Sequence, residues 1–177
     1  QTEDLITPSD MVVTLSHSGY IKRQPVSEYR TQRKGGKGKQ GAATKENDWI
    51  DQLFIANTHE TLLGFSDKGR VYWIKVWEVP QGSRVARGRP LVNYWPLMPD
   101  EKITTVLSVK NFDENNYVFL ATSNGVVKKT SLARFSRPMK RGIIAADLKD
   151  GDKLVGATIT DGKSDIMLFS NAGKSIR

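Results

Sequence analysis

The chain has 177 residues but no cysteine, and its only histidines are His17 and His59. Without cysteine it can form neither a disulfide framework nor a thiolate metal site, and this composition fits a reducing cytoplasm. Neither histidine has the spaced partner that a metal site needs. No apolar run approaches the ~18 residues that cross a bilayer, and no basic amphipathic helix is visible, so membrane binding is the weaker expectation.

What the chain does contain is the composition of a folded, strongly basic protein. Hydrophobic residues make up 38% of the sequence and are spread along its length, which argues against disorder. The formal net charge of +8 favours a polyanionic partner such as nucleic acid. The chain begins at Gln1 without a signal-peptide pattern, so we expect it to be a piece of a longer protein.

One short pattern occurs four times: an apolar or small residue, Ser or Thr, two mostly polar residues, then glycine. The glycines are Gly19, Gly69, Gly125 and Gly173, separated by 50, 56 and 48 residues. A β-rich run precedes each of them, at residues 11–14, 61–64, 117–120 and 165–168. Each unit therefore predicts a strand, a tight turn in which glycine accepts a positive φ, and a second strand.

The similarity between repeats extends beyond these turns. Further strands are predicted at residues 49–56, 103–109 and 154–159, the last leading into the hairpin signal Asp161-Gly162. Apolar residues recur seven and ten positions after the first three turn glycines: Val26, Val76 and Leu132, then Tyr29, Val79 and Phe135. No segment shows a sustained 3.6-residue apolar period. Repeats of about 50 residues with three or four short strands predict an all-β, propeller-like fold.

Basic residues recur in register with the turns. A basic residue followed by glycine appears in each complete repeat, as Lys34-Gly35, Arg87-Gly88 and Arg141-Gly142. Windows 19–45, 69–90 and 125–142 carry net charges of +7, +4 and +6, which leaves −9 for the rest of the chain. Equivalent positions of successive blades occupy equivalent places, so we expect these windows to form one basic band along an outer edge. Such a band suits the regularly spaced phosphates of duplex DNA.

Two patterns that resemble catalytic or nucleotide sites fit other roles better. Gly38-Lys39 could belong to a phosphate-binding loop, but Arg33 stands where the loop's first glycine should be. Gln40 also replaces the Ser or Thr that would bind magnesium. The acidic pairs Asp100-Glu101 and Asp150-Gly151-Asp152 precede strands, so we expect solvated turns rather than acid–base chemistry. No catalytic residue and no metal ligand is predicted.

Five aromatic residues are concentrated in the second repeat. They are Tyr72, Trp73, Trp77, Tyr94 and Trp95. Aromatic side chains could form a platform for stacking bases. The alternation of the segment 71–77 is better explained by a strand with one face turned inward, which predicts core packing.

The opening of the most basic window carries a specific resemblance. Gln32-Arg33-Lys34-Gly35-Gly36-Lys37-Gly38 is similar to the GyrA box, the Q-R-R-G-G-K-G signature of the C-terminal domain of the DNA gyrase A subunit. Six of the seven positions match, and Lys34 replaces an arginine, which keeps the charge but loses the planar fork for bidentate phosphate contact. Residues 4–17 and 86–93 also resemble stretches of that domain, so the resemblance spans nearly the whole chain.

The resemblance implies a six-bladed β-pinwheel, a propeller-like fold whose neighbouring blades exchange strands and whose basic rim wraps DNA. It divides this chain into a partial blade at 1–45, blades at 46–98 and 99–149, and a partial blade at 150–177, so the ring is expected to be incomplete. The implied DNA-binding residues are those of the box and the basic windows: Gln32, Arg33, Lys34, Gly35, Gly36, Lys37, Gly38, Lys39, Arg84, Arg87, Arg89, Lys128, Lys129, Arg137, Lys140 and Arg141.

The family's enzyme is an ATP-hydrolysing type II DNA topoisomerase of the bacterial cytoplasm and nucleoid, built from two A and two B subunits. Its DNA-cleaving tyrosine and its ATP and Mg²⁺ sites belong to other domains. The resemblance therefore implies no catalytic residue and no cofactor in this chain. The implied partners are duplex DNA, the remainder of the gyrase A subunit and the gyrase B subunit. The implied contribution is a chiral wrap that lets strand passage introduce negative supercoils.

Two alternatives remain open. The C-terminal domain of the topoisomerase IV A subunit is built from similar blades but lacks an intact box, so residues 32–38 argue against it. A propeller that acts as a protein-interaction scaffold would show little dependence of DNA affinity on salt.

Overall fold

The computed structural model describes residues 3–35, 48–83, 85–160, 168–169 and 175–176. It divides into two compact units, the first made of Gln1–Thr61 and Ile74–Tyr94 and the second of Leu62–Trp73 and Trp95–Arg177. Among the described residues, no helix is long and apolar enough to cross a membrane. Each unit is built around antiparallel sheets, so the predicted all-β fold is confirmed.

Thirteen strands and one α-helix make up the regular structure of the described residues. In chain order they are β1 Asp10–Ser16, β2 Tyr20–Pro25, α1 Val26–Gly35, β3 Ile50–Asn57, β4 Thr61–Ser66, β5 Arg70–Lys75, β6 Arg89–Pro90, β7 Ile103–Val109, β8 Tyr117–Thr122, β9 Val127–Ser131, β10 Ile143–Ile144, β11 Leu154–Thr160, β12 Leu168–Phe169 and β13 Ser175–Ile176. Short 3₁₀ turns lie at Glu3–Leu5, Val76–Glu78, Leu91–Asn93 and Leu132–Phe135.

The first unit contains a four-stranded sheet with the order β3-β1-β2-β6. The central strand β1 pairs antiparallel with both β2 and β3. Every residue of β1 after Asp10 is buried, because the strand is covered on both of its faces. The apolar members Met11, Val12, Val13 and Leu15 form the centre of this unit's core.

The second unit contains two larger sheets and a small hairpin. Their strand orders are β10-β5-β4-β7 and β11-β8-β9, and β12 pairs with β13. The core joins the central strands of both larger sheets through residues such as Leu63, Phe65, Val118 and Leu120, which are fully buried. Phe65 meets Phe135 edge to face, with ring centroids 5.9 Å apart.

The repeated turns form as the sequence predicts. Gly19, Gly69 and Gly125 adopt φ values of +90°, +81° and +85°. In each turn the glycine N–H donates to the backbone oxygen three residues earlier, which closes a tight hairpin. The fourth turn glycine, Gly173, lies outside the described residues, although β12 and β13 pair on either side of it.

The outer strand of two sheets comes from the following repeat. Strand β6 pairs with β2, so that Arg89 faces Ile21, and β10 pairs with β5, so that Ile143 faces Val71. Ile21 and Val71 each lie two positions after a turn glycine, so the two exchanges use the same register. Strand exchange between repeats is therefore present in both units, as the resemblance implies. The predicted blade boundaries stay a prediction.

The helix α1 was not predicted, because residues 26–35 show no sustained apolar period. Its first turn nevertheless begins at Val26, one of the recurrent apolar residues. The equivalent residues Val76 and Leu132 begin 3₁₀ turns that bury Val79 and Phe135 three positions later. The recurring apolar pair thus marks one helical turn in each of the first three repeats, and α1 extends that turn to Gly35.

Two predictions about individual side chains have different outcomes. Tyr72 and Trp95 are buried and stack with centroids 5.6 Å apart, which confirms core packing for these aromatic residues. The prediction that Glu101 lies in a solvated turn is wrong. Glu101 is only 7% exposed, and its carboxylate accepts hydrogen bonds from the Tyr72 hydroxyl at 2.9 Å and from the Met98 N–H at 3.0 Å, which make its burial tolerable.

Candidate nucleic-acid interface

Two basic segments end in the exchanged strands, and we call them the arms. The first arm is residues 82–90, which end in β6, and the second arm is residues 136–144, which end in β10. Neither arm contains an acidic residue. Each carries an arginine and a glycine directly before its exchanged strand. The recurring pairs Arg87-Gly88 and Arg141-Gly142 therefore occupy the same structural position in the two units.

The arm glycines attach the arms to the sheets. Gly88 and Gly142 adopt φ values of +90° and +73°, a conformation that side chains disfavour. A β-carbon on Gly88 would stand 2.3 Å from the Ile21 carbonyl oxygen, and one on Gly142 would stand 2.8 Å from the Val71 carbonyl oxygen. Only glycine permits this close approach of the two backbones.

In the first arm, the cationic side chains differ in exposure. Arg89 is exposed, whereas Arg87 is half-buried, and its guanidinium lies over the Tyr20 ring, 3.8 Å from the ring centroid. Within the described part of the chain, the Arg87 Nε and Nη2 atoms are buried without a hydrogen-bond acceptor. Arg84, also predicted to bind DNA, lies outside the described residues.

Beneath the first arm lies a buried lysine. Lys22 is 4% exposed, and its Nζ donates to the carbonyl oxygens of Ser83 and Ala86, both at 2.9 Å. Burial lowers the pKa of Lys22 from its ordinary value. The Arg23 guanidinium donates to the carbonyl oxygens of Val79 and Trp77 at 2.7 and 3.2 Å, which fixes the chain that leads into the arm.

The second arm presents its cations to solvent. Arg137, Lys140 and Arg141 are all exposed. The Arg70 guanidinium holds the backbone beneath them, because its Nη2 donates to the carbonyl oxygens of Arg141 and Gly142 at 2.7 and 3.2 Å.

Arg70 is itself part of a longer chain of hydrogen bonds. Its Nε donates to the Tyr72 hydroxyl at 3.3 Å, and that hydroxyl donates to the buried Glu101 carboxylate. Burial raises the pKa of Tyr72, and the hydrogen bond to Glu101 adds to this rise, whereas the hydrogen bond from Arg70 opposes it. A neutral phenol therefore links the buried carboxylate to the arm's supporting arginine.

The two predicted lysines of β9 lie on opposite faces of their strand. Lys128 is cross-strand from Leu120, and its Nζ reaches the Ala145 carbonyl oxygen at 3.3 Å, just beyond the second arm. Lys129 is cross-strand from Phe119, and its ammonium lies 4.2 Å from the Tyr117 ring centroid. Lys128 thus contacts the backbone next to the second arm, whereas Lys129 lies over the Tyr117 ring.

The box begins at the end of α1. The backbone of residues 32–35 forms the last helical turn, and Gly36, Lys37, Gly38 and Lys39 lie outside the described residues. Two half-buried side chains, Val26 and Tyr29, attach the start of the helix to its unit, whereas the next residue, Arg30, is exposed. The prediction that all three basic windows share one outer edge stays a prediction.

Carboxylates outside the arms support turns. Asp48 accepts hydrogen bonds from the backbone N–H groups of Ser18 and Trp49, and Asp152 accepts from those of Asn124 and Lys153. Burial alone would raise the pKa of both carboxyls, but the hydrogen bonds outweigh it and hold each pKa below its usual value. Among the described residues, no three His, Cys, Asp or Glu side chains form a metal-binding group.

The sequence prediction missed the residues that support the arms. Lys22, Arg23 and Arg70 were counted only as charges of the basic windows, yet their side chains bind backbone carbonyls. Their one sequence signal is position, since each lies within four residues after a turn glycine. Their partners are 54 to 72 residues away in the sequence, so a local pattern could not reveal the contacts.

Comparison with known proteins places this geometry in a family. The family model described as "DNA gyrase C-terminal domain, beta-propeller" matches residues 10–57, 60–110 and 116–161. The chain is 55% identical over 175 residues to the DNA gyrase A subunits of Aeromonas salmonicida and of Escherichia coli K12. These matches cover 99% of this chain and 19% and 20% of the relatives, so the chain spans about one fifth of their length.

Solved structures share the fold. The crystal structure of the C-terminal domain of DNA topoisomerase IV matches with a TM-score of 0.77 and 28% identity, over 93% of this chain and 50% of that one. A structure of the DNA gyrase A C-terminal domain matches with a TM-score of 0.64 and 24% identity, over 85% of this chain and 48% of that one. With repeats, exchanged strands and family model in agreement, the chain belongs to the DNA gyrase C-terminal domain family.

Proposed function

We propose that this chain binds duplex DNA without regard to sequence and bends it along the arms and the box. The observation that carries the proposal is the pair of arms, which present arginine and lysine side chains from one repeated backbone arrangement. Phosphate contacts of this kind supply most of the affinity in sequence-independent binding. The absence of acidic residues within the arm sequences removes local repulsion of a phosphate backbone.

The arms are suited to bending because hydrogen bonds from Lys22 and Arg70 hold the described parts of their backbones. A surface that bends DNA must offset the elastic cost, on the order of 1–6 kcal/mol for 40–90° over 20–30 base pairs. Cations held on a rigid frame lose little conformational entropy when they bind, so more of their attraction remains to offset that cost. The box adds Arg33, Lys34 and Lys37 in a glycine-rich segment, whose N–H groups can approach phosphates closely.

Within a full-length protein, this wrapping would serve DNA gyrase. The relatives are named as A subunits of DNA gyrase, and we propose that the wrap directs ATP-dependent strand passage toward negative supercoiling in the bacterial cytoplasm. The reaction chemistry, with its ATP and Mg²⁺, would lie in the rest of the A subunit and in the B subunit. This chain would contribute geometry rather than a catalytic group.

A salt titration tests the binding step. We expect the affinity of the 177-residue chain for duplex DNA to fall with log salt at a slope of about −0.9 per neutralised phosphate, near −5 for six contacts. Duplexes of the same length but unrelated sequence should bind almost equally. A slope near zero, as a protein-interaction scaffold would give, or strong preference for one sequence contradicts the proposal.

A topology measurement tests the wrapping step. A nicked circle is ligated in the presence of the full-length protein, and the linking number is then compared with that of a circle ligated alone. Chiral wrapping shifts the linking number in one direction in proportion to bound protein. Binding without any such shift would leave a DNA-binding domain that does not wrap.

The likeness to the C-terminal domain of DNA topoisomerase IV supports a second, related candidate, the C-terminal DNA-binding domain of a topoisomerase IV A subunit. Residues 32–38 favour the gyrase role, because they keep six of the seven box positions. Because the box is the proposed wrapping element, the linking-number measurement separates the two roles.

A further inference from the structure

Two cations of the basic windows donate hydrogen bonds to the backbone of the arms themselves. Lys22 is buried beneath the first arm, and Arg70 lies beneath the second. In each unit the cation comes from the strand after a turn glycine and donates to two backbone carbonyls of the arm. We propose that Lys22 and Arg70 are positioning residues that shape the arms for phosphate binding and do not themselves contact DNA. The inference rests on the proposed function.

The Lys22 ammonium binds the protein's own backbone. Lys22 is 4% exposed, and the two residues that its ammonium contacts are themselves joined, because the Ala86 N–H donates to the Ser83 carbonyl oxygen at 3.1 Å. The same ammonium donates to the Ser83 and Ala86 carbonyl oxygens, at 2.9 Å each. A neutral side chain at position 22 would leave these carbonyls without a charged donor, so two hydrogen bonds that hold the arm backbone would be lost.

Arg70 reaches the same result by different chemistry. One nitrogen of its planar guanidinium binds the Arg141 and Gly142 carbonyl oxygens, and a second binds the Tyr72 hydroxyl. The fork is therefore held between the arm and the buried Glu101. The residue equivalent to Lys22 in this unit is Tyr72, so the supporting cation has moved two positions toward the turn while the carbonyl contact is kept.

The orientation of the arm carbonyl groups affects how strongly an arm attracts a DNA phosphate. A carbonyl oxygen carries partial negative charge, and an outward-facing carbonyl on an arm would repel an approaching phosphate. A cation placed behind the arm turns those oxygens inward and neutralises them. The arm's own arginines then meet the phosphate without an opposing dipole.

A double-mutant cycle in the 177-residue chain tests the proposal. Its four corners are wild type, Lys22→Met, the triple variant Arg84→Ala, Arg87→Ala and Arg89→Ala, and all four substitutions together. Duplex affinity is measured across a salt series for each. Because Lys22 acts through the arm, we expect Lys22→Met to weaken binding severalfold, and the quadruple variant to match the triple variant in affinity and salt slope.

A direct phosphate contact gives a different result. If Lys22 bound DNA itself, its loss would add to the triple variant and reduce the slope by a further ~0.9. Additive effects, or a Lys22→Met variant that binds as wild type does, overturn the proposal. If wild type shows no salt-dependent binding at all, the proposed function fails instead, which keeps the two failures distinct.

The second arm supplies an independent cycle and a control. In this cycle Arg70→Gln is combined with Arg137→Ala, Lys140→Ala and Arg141→Ala. If the Lys22→Met variant does not fold, this second cycle tests the proposal instead. Arg70→Lys retains a donor for the carbonyls and should recover part of the affinity. Lys68→Met removes an equal charge from an exposed side chain that pairs with Asp100 at 2.9 Å outside the arms, and it should leave binding within about twofold of wild type. Equal losses in Lys68→Met and Arg70→Gln would show that charge alone matters and overturn the positioning role.

Discussion

Gly88 lies directly against Ile21, so close that a β-carbon on the glycine would stand 2.3 Å from the Ile21 carbonyl oxygen. The second arm repeats the relationship, with Gly142 against Val71. Both contacts occur where an exchanged strand joins the sheet of the preceding repeat. The glycine therefore decides whether an arm remains attached at the register in which its cations are presented.

Substitution of Gly88 by alanine should detach the first arm. Gly19 is a matched control in the same unit, because it has the same φ of +90° but nothing within 4 Å of a built β-carbon. Gly19→Ala should cost only the left-handed strain, about 1–2 kcal/mol. Gly88→Ala should cost more in denaturant unfolding and should lower DNA affinity, since the clash is with backbone. Equal losses of stability in the two variants would contradict this role of Gly88.

Tyr72→Phe should destabilise the second unit and change its response to alkali. Loss of the hydroxyl leaves the buried Glu101 with one partner fewer, at a cost of about 1–3 kcal/mol. Because the pKa of Tyr72 is raised, its neutral form stabilises the fold up to the ordinary tyrosine pKa near 10, and this contribution declines as pH rises further. Unfolding measured from about pH 8 to pH 11 should show a smaller alkaline decline in Tyr72→Phe than in wild type. Parallel curves would show that ionisation of the Tyr72 hydroxyl does not cause the alkaline loss of stability.

The parts of the fold that could be predicted are those encoded locally. Turn glycines at a fixed position after a β-rich run identify the hairpins, and strand β7 has the predicted bounds of residues 103–109. Exchanged strands β6 and β10 are two residues long, too short to show any alternation. Their pairing depends on backbone approach at Gly88 and Gly142, which no periodic pattern encodes.

The candidate site divides in the same way. Charge and the box motif indicate where cations are concentrated, because composition is a local property. Whether a cation faces DNA or its own backbone depends on distant partners: Lys22 binds Ala86, 64 residues away, and Arg70 binds Arg141, 71 residues away. Glu101 illustrates the same limit, since its partner Tyr72 is 29 residues away and turns a predicted surface acid into a buried one.

Asp48→Asn should lower the stability of the first unit at neutral pH but not at acidic pH. Although burial acts to raise the pKa of Asp48, hydrogen bonds from Ser18 and Trp49 hold that pKa below its usual value. The carboxylate therefore stabilises the fold above the ordinary Asp pKa of about 3.9, and this contribution is lost as pH falls through the lower folded pKa. Thermal unfolding of both proteins between about pH 7 and pH 2 should converge at the acidic end. A difference that stays constant throughout would mean that the charge of Asp48 is irrelevant.

Replacement of Arg33, Lys34 and Lys37 by alanine should separate binding from wrapping. The cations of the two arms remain in this variant, so the full-length protein should lose only a modest part of its affinity for a short straight duplex. The contacts made only to bent DNA are lost, so the linking-number shift on a nicked circle and the negative-supercoiling activity should disappear, while ATP-driven relaxation survives. The matched variant Lys34→Arg restores the family's residue and should keep the shift, because arginine adds a planar fork for phosphate. A triple variant that supercoils at the wild-type rate would show that the box is a flexible basic linker and that wrapping depends on the arms alone.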